Sequence, residues 1–233
     1  LSHAVADSRD GVADARSPRP TVRIQDNIMA RSERRLLNRL CVALPSWVEP
    51  DHLTALGVVG AAITAAGYVL ANLSTGFFWL ASLGLVVNWF GDSLDGSLAR
   101  HRKKERPKYG FFLDHSVDAI SSLLITVGLG FSPYVGMDAA LFSLIGYLVV
   151  GIYVLLAHQV SGEFRLSFLG CGPTEMRIII IAFNATMYFL GPINFAIWGR
   201  VFSLHGLSVG GLGAILIVVF VVNVLKTAAK LRT

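Results

Sequence analysis

Long apolar runs separated by short polar connections fill the chain from His52 to Lys226. Six of them, His52–Asn72, Gly76–Ala99, Phe111–Phe131, Met137–His158, Glu175–Trp198 and Gly206–Lys226, approach the ~20 residues that a helix needs to cross a bilayer core. Residues 23–44 follow a different rule. Ile28, Met29, Leu36, Leu37, Leu40 and Leu44 fall near one stripe, opposed by Arg31, Arg34, Arg35 and Arg39, which predicts a basic amphipathic helix lying on an anionic membrane face. Pro45 and Pro50 punctuate a turn, and Trp47 suits the interface. Residues 1–22 mix charge, Ser and Pro without apolar periodicity and without the apolar core of a secretory signal peptide, so they are expected to form a disordered leader. The expected organisation is a leader over 1–22, a juxtamembrane helix over 23–46 and a six-helix membrane unit over 47–233. The fold class is all-α integral membrane, six transmembrane helices preceded by a basic interfacial helix.

Composition strengthens this picture. Only 15% of the 233 residues are charged, against about 25% in soluble domains, and the mean hydropathy is +0.60. The net charge of +5 is unevenly placed. One set of connections holds residues 23–39, the run from Arg100 to Lys108, Arg165 with Arg177, and the tail with Lys226, Lys230 and Arg232; the opposite set holds only Arg200. The positive-inside rule then puts both termini on the cytoplasmic side, and an odd number of crossings would break the pattern. The basic residues are expected to meet membrane lipids, with no nucleic-acid partner. Cys41 and Cys171 fit no metal-ligand spacing and are expected to be structural, without a disulfide. Small-residue runs, Gly57-Val-Val-Gly60 and Gly210-Gly-Leu-Gly213, predict close helix packing.

The polar residues that this pattern does not explain are four aspartates. Asp92 and Asp95 are spaced i, i+3 and Asp114 and Asp118 i, i+4, so each pair projects from one helical face, and a helix hairpin turns the pairs toward each other. A carboxylate at membrane depth costs about 2.5–3.5 kcal/mol, so four unpaired ones would cost roughly 10 kcal/mol or more. Arg100 can balance one charge. Clustered oxygen ligands otherwise call for a hard divalent cation, Mg²⁺ first, with Mn²⁺ and Ca²⁺ as alternatives.

The order Asp92-x-x-Asp95-Gly96-x-x-Ala99-Arg100, then Gly110-x-x-x-Asp114-x-x-x-Asp118, resembles the signature of the CDP-alcohol phosphotransferase (phosphatidyltransferase) family at every fixed position. Nine residues separate Arg100 from Gly110, one more than is often found in the family, a difference that the loop segment KKERPK absorbs. The resemblance implies a membrane enzyme of phospholipid synthesis that moves a phosphoryl-alcohol unit from a CDP-alcohol to a second alcohol, one of the two being lipidic, with release of CMP. It implies one or two Mg²⁺ ions at Asp92, Asp95, Asp114 and Asp118, catalysis at Asp114 and Asp118, and Asp118 as general base for the acceptor hydroxyl. Asp95, Gly96, Ala99, Arg100 and Gly110 are the expected CDP contacts, since Gly96 and Ala99 leave room for a nucleotide and the Arg100 fork suits a phosphate oxygen. His115, Arg165, Glu175 and Arg177 are candidates for the acceptor side. Relatives are homodimers, which implies a homodimer here, in the cell membrane (the inner membrane in a bacterium) with the active site cytoplasmic.

His115 after Asp114 and the run Gly172-Pro173-Thr174-Glu175 are similar to the choline and ethanolamine phosphotransferase branch, in which the CDP carries the polar alcohol and diacylglycerol accepts. The reverse arrangement, CDP-diacylglycerol with a polar acceptor, stays open. Outside the family, a UbiA-type prenyltransferase would need a second aspartate-rich motif that the second half lacks. A divalent-cation channel or transporter gives no reason for Gly96, Ala99 and Arg100, and an inactive scaffold none for a complete set of catalytic positions.

Overall fold

The computed structural model describes residues 22–24, 30–161, 163–165, 172–197 and 200–232. The expected leader lies outside the described residues apart from Val22. In chain order the elements are β1 (Val22–Ile24), α1 (Ala30–Ala43), α2 (Pro50–Leu70), α3 (Phe77–His101), α4 (Pro107–Gly130), α5 (Met137–Ser161), β2 (Glu163–Arg165), α6 (Pro173–Leu190), β3 (Asn194–Ile197), β4 (Arg200–Ser203) and α7 (Leu204–Arg232). The protein is therefore a helical membrane protein. Five of its described helices, α2, α3, α4, α5 and α7, are long and apolar enough to cross a bilayer.

Two predicted boundaries move. The amphipathic helix expected from residue 23 begins at Ala30, and Val22–Ile24 instead pairs in parallel with Glu163–Arg165. The apolar run Glu175–Trp198 is helical only to Leu190. Gly191 sits at φ 66, where glycine is favoured, Pro192 follows, and Asn194–Ile197 turns back as a β-hairpin with Arg200–Ser203.

Local chemistry sets where the helices start. Pro50, Pro107 and Pro173 each occupy a first helical position, where the missing N–H would have no partner. At the start of α2, His52 Nδ1 accepts from Glu49 N at 3.1 Å; at the start of α6, Glu175 Oε2 accepts from Gly172 N at 3.0 Å.

The closest packing is between α2 and α3. A Cβ on Gly84 would lie 2.5 Å from Thr64 N and 2.8 Å from Gly60 O, so only glycine allows the two backbones to approach this closely. Gly213 plays the same part between α7 and α5, where an added Cβ would lie 2.8 Å from Ser143 Cα. The core has two ends. One gathers Tyr68, Phe78, Tyr134, Met187 and Val209; the other gathers Leu53, Leu94 and Leu98 under Leu37 and Cys41 of α1. The N-terminal helix is thus docked on the bundle by its apolar stripe, at the end where α3 finishes. Leu83, Val86, Leu123, Ile145, Ile152, Ile215 and Val218 remain exposed along the long helices, where lipid would cover them.

The basic connection between α3 and α4 is held by the protein itself. Arg102 donates to the carbonyls of Leu44, Pro45, Ser46 and Val48; Lys104 pairs with Glu49 at 3.0 Å and Arg106 with Asp51. The Lys104 ammonium holds the Glu49 carboxyl below its usual range. Arg106 also lies 4.3 Å from the centre of the Tyr109 ring.

Candidate active site

Helix α3 carries Asp92 and Asp95, and α4 carries Asp114 and Asp118; their packing against α2 brings the pairs together. One carboxylate oxygen from each of Asp92, Asp114 and Asp118 lies within 4.8 Å of the others. A hard cation bound at about 2.0–2.6 Å from each ligand leaves oxygens up to roughly 4–5 Å apart, so this donor set fits one in both chemistry and spacing. Asp95 lines the same cleft, with Thr54, Gly57, Asn88, Asp92, Asp114 and Val117. Its own oxygens are engaged, Oδ2 by Thr54 Oγ1 at 2.7 Å and Oδ1 by Gly96 N.

The positive charge beside the cluster comes from Arg177 of α6, where the sequence had pointed to Arg100. Arg177 Nη2 donates to Asp92 Oδ2 at 2.8 Å and Nε to Asn88 Oδ1 at 2.9 Å, while Asn88 Nδ2 donates to Gly57 O at 2.9 Å. The pair is mostly buried, its side chains 14% and 21% exposed, and Arg177 Nη1 is buried with no hydrogen-bond partner among the described residues. A buried pair of this kind contributes little net stability while both partners stand, and costs a great deal when one is removed.

Arg100 lies further out, exposed, with Nη2 donating to Ser97 Oγ at 3.3 Å. Its guanidinium passes over Gly96, where an added Cβ would lie 3.4 Å from Nη1. Ala99 is half-buried, and Gly110, in the first turn of α4, faces open space. The expected CDP contacts therefore follow the outward end of α3 and the start of α4.

The acceptor-side candidates separate. Arg177 is in the cluster. His115 approaches Asp114 Oδ2 at 3.6 Å through Nδ1, which also lies 2.9 Å from Phe111 O, and its ring packs on Phe111. Glu175 closes the first turn of α6 through Gly172 N. The backbone of Arg165 belongs to β2, and its side chain lies outside the described residues.

Three residues of the site were missed in the sequence: Thr54, Asn88 and Glu33. Glu33 Oε1 accepts from Trp89 Nε1 at 3.0 Å, from Thr174 Oγ1 at 2.5 Å and from Ser93 Oγ at 3.5 Å, joining α1 to α3 and α6. For Thr54 and Asn88 the available signal was a polar residue one or two turns from an aspartate or glycine on an otherwise apolar helix.

The chain is similar to known proteins over most of its membrane region. The family model described as CDP-alcohol phosphatidyltransferase matches residues 47–225. An archaetidylinositol phosphate synthase of Methanothermobacter thermautotrophicus is 30% identical over 151 residues, 65% of this chain and 71% of the relative. One from Pyrococcus horikoshii is 33% identical over 141 residues, 58% of this chain and 73% of the relative. Cholinephosphotransferase 1 of Danio rerio is 30% identical over 154 residues, 62% of this chain and 40% of the relative.

Proposed function

The chain belongs to the CDP-alcohol phosphatidyltransferase family, membrane transferases of phospholipid biosynthesis, and from that premise we propose that its aspartate cluster moves a phosphoryl-alcohol unit from a CDP-alcohol to a second alcohol. The observation that carries the reading is the convergence of Asp92, Asp114 and Asp118 inside the matched region. One or two Mg²⁺ ions, with Mn²⁺ or Ca²⁺ as alternatives, would be held by these three residues and Asp95, and when bound would neutralise the diphosphate and ease the departure of CMP. Arg100 takes a phosphate oxygen at the outer end of α3, and the nucleotide lies along Gly96 and Ala99 toward Gly110. Asp118 accepts the proton of the acceptor hydroxyl. The acceptor oxygen bonds to the phosphorus that carries the donor alcohol, and the bond from that phosphorus to CMP breaks. His115 beside Asp114 and Arg177 beside Asp92 frame the acceptor side.

The donor in this reading is the lipid-linked CDP-alcohol and the acceptor a polar alcohol, which is supported by the two archaeal relatives, each named for an inositol phosphate product. The opposite arrangement has the Danio rerio relative and the resemblance of Gly172–Glu175 in its favour. That run already has a local task, however: Pro173 and Glu175 start α6, and Thr174 meets Glu33.

Helix α6 completes six crossings in this proposal. It runs antiparallel to α3 with rungs from Arg177 and Asp92, through Asn184 and Ser82 at 3.0 Å, to Tyr188 and Trp79, whose rings are 5.5 Å apart. Asp92 to Trp79 spans about 20 Å of helix. A helix that follows a crossing neighbour over that depth, ending in the aromatic cluster of Trp79, Tyr188 and Phe189, crosses with it. Both termini and the aspartates then face the cytoplasm, α1 lies at the interface, and the exposed apolar faces allow a homodimer.

The test is CMP release by purified protein supplied with Mg²⁺, a lipid-linked or a polar CDP-alcohol, and candidate acceptors. Release should need a matching pair and stop on chelation. Release that survives chelation removes the metal, and no release from either donor class removes the assignment.

A further inference from the structure

We propose that Glu33 of α1 is a positioning residue for the transfer site, setting where the Arg177 guanidinium meets Asp92. This rests on the reading of the aspartate cluster given above. Glu33 is the one acidic residue of a helix that also holds Arg31, Arg34, Arg35 and Arg39. Its spacing from Leu37 and Cys41 is i+4 and i+8, so it extends the buried stripe by which α1 docks. A helix that only had to lie on lipid would have no use for a carboxylate on that side.

Its contacts show what the carboxylate does. All three donors converge on Oε1: Trp89 and Ser93 come from α3 and Thr174 from α6. Ser93 adjoins Asp92 and Trp89 adjoins Asn88, the two residues that Arg177 binds. Thr174 and Arg177 are i, i+3, so they share one face of α6. Fixing Thr174 against α3 therefore fixes the rotation and height of α6 one turn before the arginine.

The experiment reads Mn²⁺ binding by electron paramagnetic resonance, with CMP release beside it, on purified full-length protein. If Glu33 acts through Arg177, Glu33→Ala and Thr174→Val free Asp92 from the guanidinium. Each should raise Mn²⁺ affinity about threefold while lowering kcat about tenfold, within the range of measured coupling between neighbouring residues. Glu33→Gln keeps the accepting oxygen and should lie closer to wild type than Glu33→Ala on both readouts. In an Arg177→Met background, neither Glu33→Ala nor Thr174→Val should change Mn²⁺ affinity further. Affinity that falls together with activity, or effects that add to those of Arg177→Met, would mean general loosening and overturn the inference. Should Glu33→Ala fail to fold, Thr174→Val and Trp89→Phe, which remove one donor each, carry the same test. Variants indistinguishable from an active, Mn²⁺-binding wild type sink this inference alone; a wild type that neither binds Mn²⁺ nor releases CMP sinks the functional reading with it.

Discussion

Asp92 and Asp118 belong to one cluster, but their contributions are read from different variants. Asp118 is the proposed proton acceptor, so Asp118→Asn should lower kcat by about a hundredfold or more, the range for losing a general base, while binding of the CDP-alcohol stays measurable. Turnover near wild type would take Asp118 out of the mechanism. Asp92 is bound to Arg177 in a mostly buried pair, so its contribution is read best from the arginine. Arg177→Met leaves a buried carboxylate without its partner and should cost about 3 kcal/mol or more in unfolding free energy. A divalent cation at the cluster takes over that balancing charge, and the thermal stability lost in Arg177→Met should be partly regained in millimolar Mg²⁺. A deficit of the same size with and without Mg²⁺ would mean that no cation reaches Asp92.

Among the helices, the α2–α3 contact gives the sharpest expectation because it involves backbone on both sides. Gly84→Ala places a Cβ against Thr64 N and Gly60 O, and overpacking of this kind should cost about 1–3 kcal/mol. Gly151→Ala on α5 faces open space and should be neutral or stabilising by up to about 1 kcal/mol, since alanine is the better helix former. Thermal unfolding in one detergent compares the two, and equal effects would remove the close-approach argument. The same packing explains which parts of the site were legible. Asp92, Asp95, Asp114 and Asp118 repeat at helical spacing within a short stretch, so the sequence displays their common face directly. Glu33 reaches Thr174 from 141 residues away, and nothing in a basic amphipathic pattern tells which of its polar residues turns inward. Arg177 stood out as a charge near a helix start, but its partner on α3 is fixed only by the antiparallel register of α3 and α6. The end of α6 was obscured for another reason. Residues 191–198, GPINFAIW, are nearly as apolar as the helix before them, so hydropathy ran on where Gly191-Pro192 had already broken the backbone.

The whole molecule turns on whether α6 crosses. Five described helices qualify as spans by length and apolarity, and five crossings would put the chain ends on opposite sides of the membrane. They would separate the Arg-rich α1 from the tail with Lys226, Lys230 and Arg232, against the positive-inside rule. Helix α6 falls short by composition because Glu175 and Arg177 lie in its first turns. Both are partnered there, Glu175 by the helix start and Arg177 through Nε and Nη2 by Asn88 and Asp92, so they cost less than their hydropathy suggests. With six crossings, the β3–β4 hairpin and the α3–α4 connection face opposite sides. Glu105 and Val201 are exposed reporters of the two. In a background with Cys41 and Cys171 replaced by Ala, Val201→Cys should react with an impermeant maleimide on intact cells, and Glu105→Cys only after the membrane is opened. Labelling of both from one side would mean that α6 enters and leaves by the same face, and the aspartates, tied to it through Arg177, would then sit beside a re-entrant helix.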